Sequence, residues 1–299
     1  MGSLSYKEKI GSGKYFHYVL CLSEAKGMDI IMKKKIALIM ALALSVTTVF
    51  AGCVAKDDQK QSESGSGTQK TFTVGFDQDF PPMGFVGDDG EYTGFDLDLA
   101  KEVADRLDMK FVPKPISWDA KDMELSSGGI DCIWNGFTMT GREDKYTWSE
   151  PYLNNEQVFV VKKDSGIKTQ ADLAGKVVDV QTDSSAQKAL EQQEKLQKSF
   201  KELKIVADYN TAFMDLESGA VDAIAMDIVV AKYQIEQRKA DFVLLDDALA
   251  SEEYAVGFLK GNDELRDKVQ KTLEEMAEDG TMKKISEKWF QEDITTIGK

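Results

Sequence analysis

Histidine is almost missing from this chain: the single copy, His17, sits near the start, so no imidazole occurs downstream of it. Ser-His-Asp and Cys-His nucleophile pairs, and zinc sites with imidazole ligands, are excluded from the remaining sequence. Cysteine is nearly as scarce. Cys21 and Cys53 lie in the amino-terminal segment, which leaves Cys132 alone in the apolar run Ile130-Asp131-Cys132-Ile133-Trp134. A single thiol makes no internal disulfide, and this setting suits a core position without redox chemistry. Basic charge is the third deficit. The chain has 37 Lys+Arg against 52 Asp+Glu; the first 53 residues hold 7 and 3 of these, so the rest carries 30 against 49. Such a surface repels a phosphate backbone, so a nucleic-acid partner is not expected. No cofactor and no metal is expected either.

What is present begins with a leader. Lys33-Lys34-Lys35 give a positive start, Ile36 to Phe50 an apolar stretch, and Ala51-Gly52-Cys53 a small-residue cleavage site. The apolar stretch is too short and too one-sided for a spanning helix, and the pattern is that of a secretory signal. The segment resembles the bacterial lipoprotein signal, which implies lipidation at Cys53 after cleavage, although Phe50 stands where that signal usually has Leu. Lys56 to Lys70 is rich in Ser, Gly, Gln and charge, the composition of a flexible tether. Residues 1–31 do not fit this plan and are set apart from the fold, with Met32 or Met28 as the expected start.

From Phe72 onward, short β-rich runs alternate with amphipathic ones. The spacing predicts strands over Phe72–Phe76, Lys110–Ile116, Ile130–Trp134, Val177–Val180 and Ile205–Ala207. It predicts helices over Phe95–Leu107, up to Ser126, and over Ser184–Gln197. That order argues for parallel α/β sheets covered by helices. A repeat sharpens the expectation: Leu125 to Ile133 and Leu216 to Ile224 share Leu-x-Ser-Gly-x-(Ile/Val)-Asp-x-Ile, 91 positions apart. Each copy reads as a helix end, a glycine cap and a buried strand, which suggests two lobes of similar build.

Several segments in order now carry a resemblance: Val74-Gly75-Phe76-Asp77-Gln78-Asp79-Phe80-Pro81-Pro82-Met83, Gly94-Phe95-Asp96-Leu97-Asp98-Leu99-Ala100, Asn135-Gly136-Phe137-Thr138-Met139-Thr140-Gly141-Arg142, Val178-Asp179-Val180-Gln181-Thr182-Asp183-Ser184-Ser185 and Val221-Asp222-Ala223-Ile224-Ala225-Met226-Asp227. Over Phe72 to Phe290 the chain resembles the polar amino-acid-binding family of bacterial transport receptors. The resemblance implies an α/β fold of type II periplasmic binding protein architecture, two Rossmann-like lobes joined by two hinge crossovers. Its expected division is 32–53 signal, 54–71 tether, 72–161 first lobe, 162–253 second lobe, and 254–299 the first lobe's return and terminal helices.

A free amino acid needs a two-pronged cation and backbone donors for its carboxylate, and a carboxylate for its ammonium. By resemblance, Arg142 is the carboxylate clamp, with one residue fewer than usual between it and Thr140. Thr138 and Thr140 would bond the same ligand groups. Ser184 and Ser185 would offer donors where a second-lobe helix begins, and Asp227 would take the ammonium. Phe80 and Trp118 match positions flanking the ligand; Asp77 sits where receptors for basic amino acids place an acid. Asn135 and Gly136 complete the predicted ligand positions, and because Trp134-Asn135 replaces a small polar pair, a neutral polar or sulfur-containing substrate stays open beside a cationic one.

The resemblance implies a monomeric, lipid-anchored protein on the outer face of the cell membrane. It would hand its amino acid to the permease subunits of an ATP-driven transporter, with no nucleotide loop of its own. A sensory receptor domain and a dehydratase or lyase on the same fold are the other readings, the latter resting on Asp77 or Asp227 as acid or base. No membrane helix or kinase follows the folded part, so transport is the expectation over sensing.

Overall fold

The computed structural model describes residues 69–239 and 241–299. The segment 1–31, the leader with Cys53, and the tether as far as residue 68 lie outside the described residues. The first lobe opens with β1 (Thr71–Phe76), followed by a small antiparallel sheet of β2 (Asp79–Phe80), β3 (Gly84–Val86) and β4 (Tyr92–Thr93). Helix α1 (Phe95–Arg106) buries Phe95, Leu99, Ala100 and Val103, the three-to-four spacing of a core-facing stripe. Then come β5 (Lys110–Pro115), α2 (Lys121–Ser126), β6 (Cys132–Ile133) and β7 (Thr147–Trp148).

The second lobe comprises β8 (Leu153–Lys162), β9 (Val177–Gln181), α3 (Ser185–Gln192), α4 (Glu194–Gln197), β10 (Glu202–Val206), α5 (Tyr209–Ser218), β11 (Ala223–Asp227), α6 (Ile228–Arg238), β12 (Phe242–Leu244) and β13 (Ala250–Tyr254). The chain returns through β14 (Gly257–Phe258), α7 (Asp263–Glu278) and α8 (Thr281–Phe290).

Both lobes wind alike. The first sheet runs β5-β1-β6-β14-β7 and the second β10-β9-β11-β8-β12, with β13 also on β8. In the first, β1 lies parallel between β5 and β6, and in the second β9 lies parallel between β10 and β11. The sequence repeat leads into β6 in one lobe and β11 in the other, and its aspartate has one job in both. Asp131 accepts from the Thr73 amide at 2.6 Å while its own amide donates to the Thr73 carbonyl at 2.8 Å. Asp222 accepts from the Val177 amide at 2.9 Å and donates to the Val177 carbonyl at 2.9 Å. Each pair ties β1 or β9 to the residue just before β6 or β11, which satisfies a strand amide and fixes register.

The crossovers are β8 and β13, paired antiparallel from Leu153↔Tyr254 to Gln157↔Ala250. The first lobe, expected to run to residue 161, gives way near Tyr152, because β8 bonds to β11, β12 and β13 of the second lobe. Leu153–Lys162 is one unbroken strand with no turn to mark the passage. The helix expected over Ser184–Gln197 is interrupted at Gln193, whose backbone leaves helical geometry and whose side-chain amide donates to the Leu249 carbonyl at 2.7 Å. Cys132 is fully buried, and burial pushes its thiol up, so it packs as a small apolar group.

Candidate functional site

The strand ends of both sheets and the two crossovers meet in one place, as open α/β sheets arrange their binding crevices. Following β1, Asp77 is buried; its amide donates to Asn135 Oδ1 at 3.0 Å, and its Oδ2 accepts from Gln181 Nε2 of the second lobe at 2.7 Å. Burial pushes the Asp77 carboxyl up to about 6. Asn135 Nδ2 is buried without a partner. Phe80 packs on Tyr209 of α5 with ring centroids 5.9 Å apart, and Trp118 lies edge-on to Phe137 at 5.5 Å. The two flanking aromatics thus belong to separate packed groups.

Gly136 takes φ +56°, and its amide donates to Asp96 Oδ2 at 2.6 Å. A Cβ there would come within 3.0 Å of both Phe80 Cε1 and Tyr254 Cε2. Gly136→Ala is expected to lower stability by about 1–3 kcal/mol in chemical denaturation, from left-handed strain and displacement of two rings. A midpoint equal to that of the parent would show that the backbone can move here freely.

Thr138 sits at the centre. Its hydroxyl donates to Glu252 Oε1 at 2.9 Å and lies 2.8 Å from Ser185 Oγ across the lobes. Ser184 caps α3, its hydroxyl accepting from the Gln187 amide at 3.1 Å, and Ser185 opens the first turn. Thr140 does not join this group. The Arg142 amide donates to the Met139 carbonyl at 2.8 Å, closing a turn around Gly141 at φ +75°. At that reversal Thr140 is exposed, and its hydroxyl accepts from the Glu253 amide at 3.1 Å. It borders a groove of about 850 Å³ beside α6 and the end of α8, whose wall also includes Asn155 and Glu252.

The same turn accommodates the missing residue before Arg142. Arg142 is only 8% exposed, its guanidinium donates to the Thr138 carbonyl at 3.1 Å, and it stands 5.5 Å from the Phe137 ring centroid. No carboxylate pairs with it among the described residues. It borders a cavity of about 550 Å³ between the lobes, closed on the far side by Thr182, Asp183 and Ser184 at the head of α3.

At the crossovers, Asp227 is 3% exposed at the end of β11. Its Oδ1 accepts from Tyr254 Oη at 2.5 Å, Gln157 Nε2 at 2.7 Å and Asn155 Nδ2 at 2.9 Å. Burial first, and then the neighbouring charge of Glu252, push its carboxyl up to about 7. Glu252, Asn155, Gln157, Tyr254 and Gln181 were not legible in the sequence. One signal was available: in Leu153-Asn154-Asn155-Glu156-Gln157 the inward positions alternate, and two of them are amides.

The model of the bacterial extracellular solute-binding proteins, family 3, matches residues 72–292. The chain belongs to that family. The L-cystine-binding protein TcyJ of Escherichia coli K12 is 34% identical over 228 residues, 75% of this chain and 84% of that protein. The L-cystine-binding protein TcyA of Bacillus subtilis strain 168 is 30% identical over 273 residues, 88% of this chain and 99% of that one. Among solved structures, the substrate-binding protein of an ABC uptake transporter from Streptococcus pneumoniae, crystallised with bound histidine, superposes with TM-score 0.74. It is 38% identical and spans 76% of this chain and 94% of that one.

This family 3 chain is a solute-binding protein, and its lobes are in contact across the cleft. Lys121 of the first lobe, 2% exposed at its side chain, pairs with Asp183 of the second and donates to the Trp118 carbonyl at 3.1 Å. Burial pushes the Lys121 ammonium down, against the pull of Asp183. Lys188 Nζ reaches the Gly141 carbonyl at 2.5 Å, and Asn210 Nδ2 donates to Asp79 Oδ1 at 2.8 Å. Only contacts made in one arrangement of the lobes can favour it over another. Lys121→Met is expected to weaken solute affinity about 3- to 10-fold by titration calorimetry, since a half-exposed pair contributes on the order of 1 kcal/mol to closure. Unchanged affinity would show that this pair plays no part in holding the lobes together.

Proposed function

We propose that this chain captures a free polar amino acid between its lobes and delivers it to the permease of an ABC importer. The α-carboxylate meets Arg142 together with the amides and hydroxyls of Ser184 and Ser185; the α-ammonium meets Asp227; Thr138 joins the two ends. The observation that carries this reading is the Arg142 guanidinium, buried and without an anionic partner among the described residues, on a cavity closed by the start of α3. A desolvated guanidinium is costly unless an anion completes it, and a carboxylate matches its fork. An α-helix N-terminus favours the same charge. The relatives' printed ligands, L-cystine and histidine, support an amino acid as the solute.

Asp77, Gln181, Asn135, Phe80 and Trp118 would surround the side chain of the solute, an acid and two amides among aromatic rings, suited to a polar or cationic group. Binding would proceed without turnover, the solute being recovered unchanged. The protein would act as a monomer, held on the outer face of the cell membrane by lipid at Cys53. Mass spectrometry of the membrane-extracted protein is expected to find a di- or triacylated amino-terminal Cys53; an unprocessed leader would refute the anchor. A thermal-shift screen of the twenty amino acids and L-cystine tests the solute class. At least one is expected to raise the melting temperature, because a ligand that binds only the folded state stabilises it; no shift with any of them would contradict the proposal.

A further inference from the structure

The crossovers hold a second carboxylate for which the amino-acid reading has no use. Glu252 is 7% exposed and lies on β13, with Asp227 close by on β11. The same two amide groups serve both acids. Asn155 Nδ2 donates to Asp227 Oδ1 at 2.9 Å and to Glu252 Oε1 at 2.7 Å. Gln157 Nε2 donates to the same two oxygens at 2.7 and 2.8 Å. With both acids ionised, flipping either amide would set its carbonyl against two carboxylate oxygens. As oriented, Asn155 Oδ1 and Gln157 Oε1 are buried with no donor. Two acids and two orphaned acceptors in one buried cluster match a group that brings several N–H donors and a positive charge.

Resting on the amino-acid reading above, we propose that Glu252 is a second carboxylate of the ammonium site, placed beside Asp227 so that the incoming ammonium displaces a proton from Asp227. The α-ammonium keeps its three protons, and the proton of Asp227 passes to the solvent. Burial and the neighbouring Glu252 oppose ionisation of Asp227, and a cation beside it removes that obstacle.

The groups facing the pair are Asn155 and Gln157 from β8, Tyr254 from β13, Tyr209 from α5, Ser185 from α3 and Thr138 from the first lobe. Among the described residues neither acid is in an ion pair, so no protein cation substitutes for the proton. Burial and the like charge of Glu252 both push Asp227 up, to about 7. Between the ordinary carboxylate range and that value, the solute-free protein holds a proton that the bound form gives up. Affinity therefore rises with pH through this window and levels off above it.

The test is calorimetric titration of the purified protein with L-arginine, L-glutamine and L-cystine at neutral pH in buffers of different ionisation enthalpy. These solutes do not themselves titrate between about pH 5 and pH 7. Binding is expected to release between about half and one proton, and affinity to fall by up to about tenfold per unit as pH drops below about 7. In Glu252→Gln the neutral-pH release should fall and the pH dependence move lower, because Asp227 loses its charged neighbour while burial still holds its carboxyl up. Weakened binding in that variant with an unchanged proton count would make Glu252 a structural residue only and overturn the proposal. In the parent protein, binding without proton release also overturns it. Absence of binding by any amino acid would instead sink the amino-acid reading, and this inference with it.

Discussion

Arg142→Ala is expected to weaken amino-acid binding by at least about 30-fold, and to leave the fold nearly intact. Removing one partner of a desolvated charge pair costs about 2–5 kcal/mol, and each 1.4 kcal/mol is a factor of ten. The protein itself asks little of this side chain: one hydrogen bond to the Thr138 carbonyl and a contact with Phe137. Stability and affinity should therefore separate, the melting temperature of the solute-free protein changing by no more than a few degrees. Arg142→Lys should recover only part of the loss, because an ammonium offers no planar fork to a carboxylate. Calorimetric titration beside a thermal scan would read both quantities; loss of affinity only in proportion to loss of folded protein would make Arg142 structural.

Asp227→Asn is expected to act in opposite directions on binding and stability. The amide removes the anion that would hold the ammonium, so affinity should drop by about 30-fold or more. It also removes a buried acid whose ionisation is opposed by burial and by Glu252. The solute-free variant should melt at the same temperature as the parent or higher, since replacing an unfavourably buried charge is often neutral or stabilising. The sign follows from linkage. With its folded-state carboxyl raised to about 7, Asp227 costs stability as pH rises from the ordinary carboxylate range through that value, so the variant's advantage should grow over that interval and then hold. A variant that melts well below the parent at neutral pH would show that the carboxylate holds the crossovers together.

The sequence made the scaffold legible where residue type and geometry agree. The aspartates of the two repeats could be matched because each does one backbone job at the same point of its lobe, and the motif around them survives 91 positions apart. The crossover strands were harder. Asn155 and Gln157 are inward on β8 and Glu252 inward on β13, but a polar residue at an inward strand position carries no apolar alternation to mark it. Their partners are also remote, 72 positions separating Asn155 from Asp227 and 95 separating Gln157 from Glu252. The resemblance implies both Thr138 and Thr140 at the ligand; the turn that closes between Met139 and Arg142 sends Thr140 to the outside. That turn also lets Arg142 reach the cleft with one residue fewer before it.

The most direct measurement is a crystal structure of the protein with the amino acid that gives the largest thermal shift. The account predicts that solute lying between the lobes, its carboxylate within hydrogen-bond reach of the Arg142 guanidinium and its ammonium against Asp227. A solute seated in the groove beside α6 and α8, or an Arg142 side chain turned out of the cleft in the complex, would contradict it.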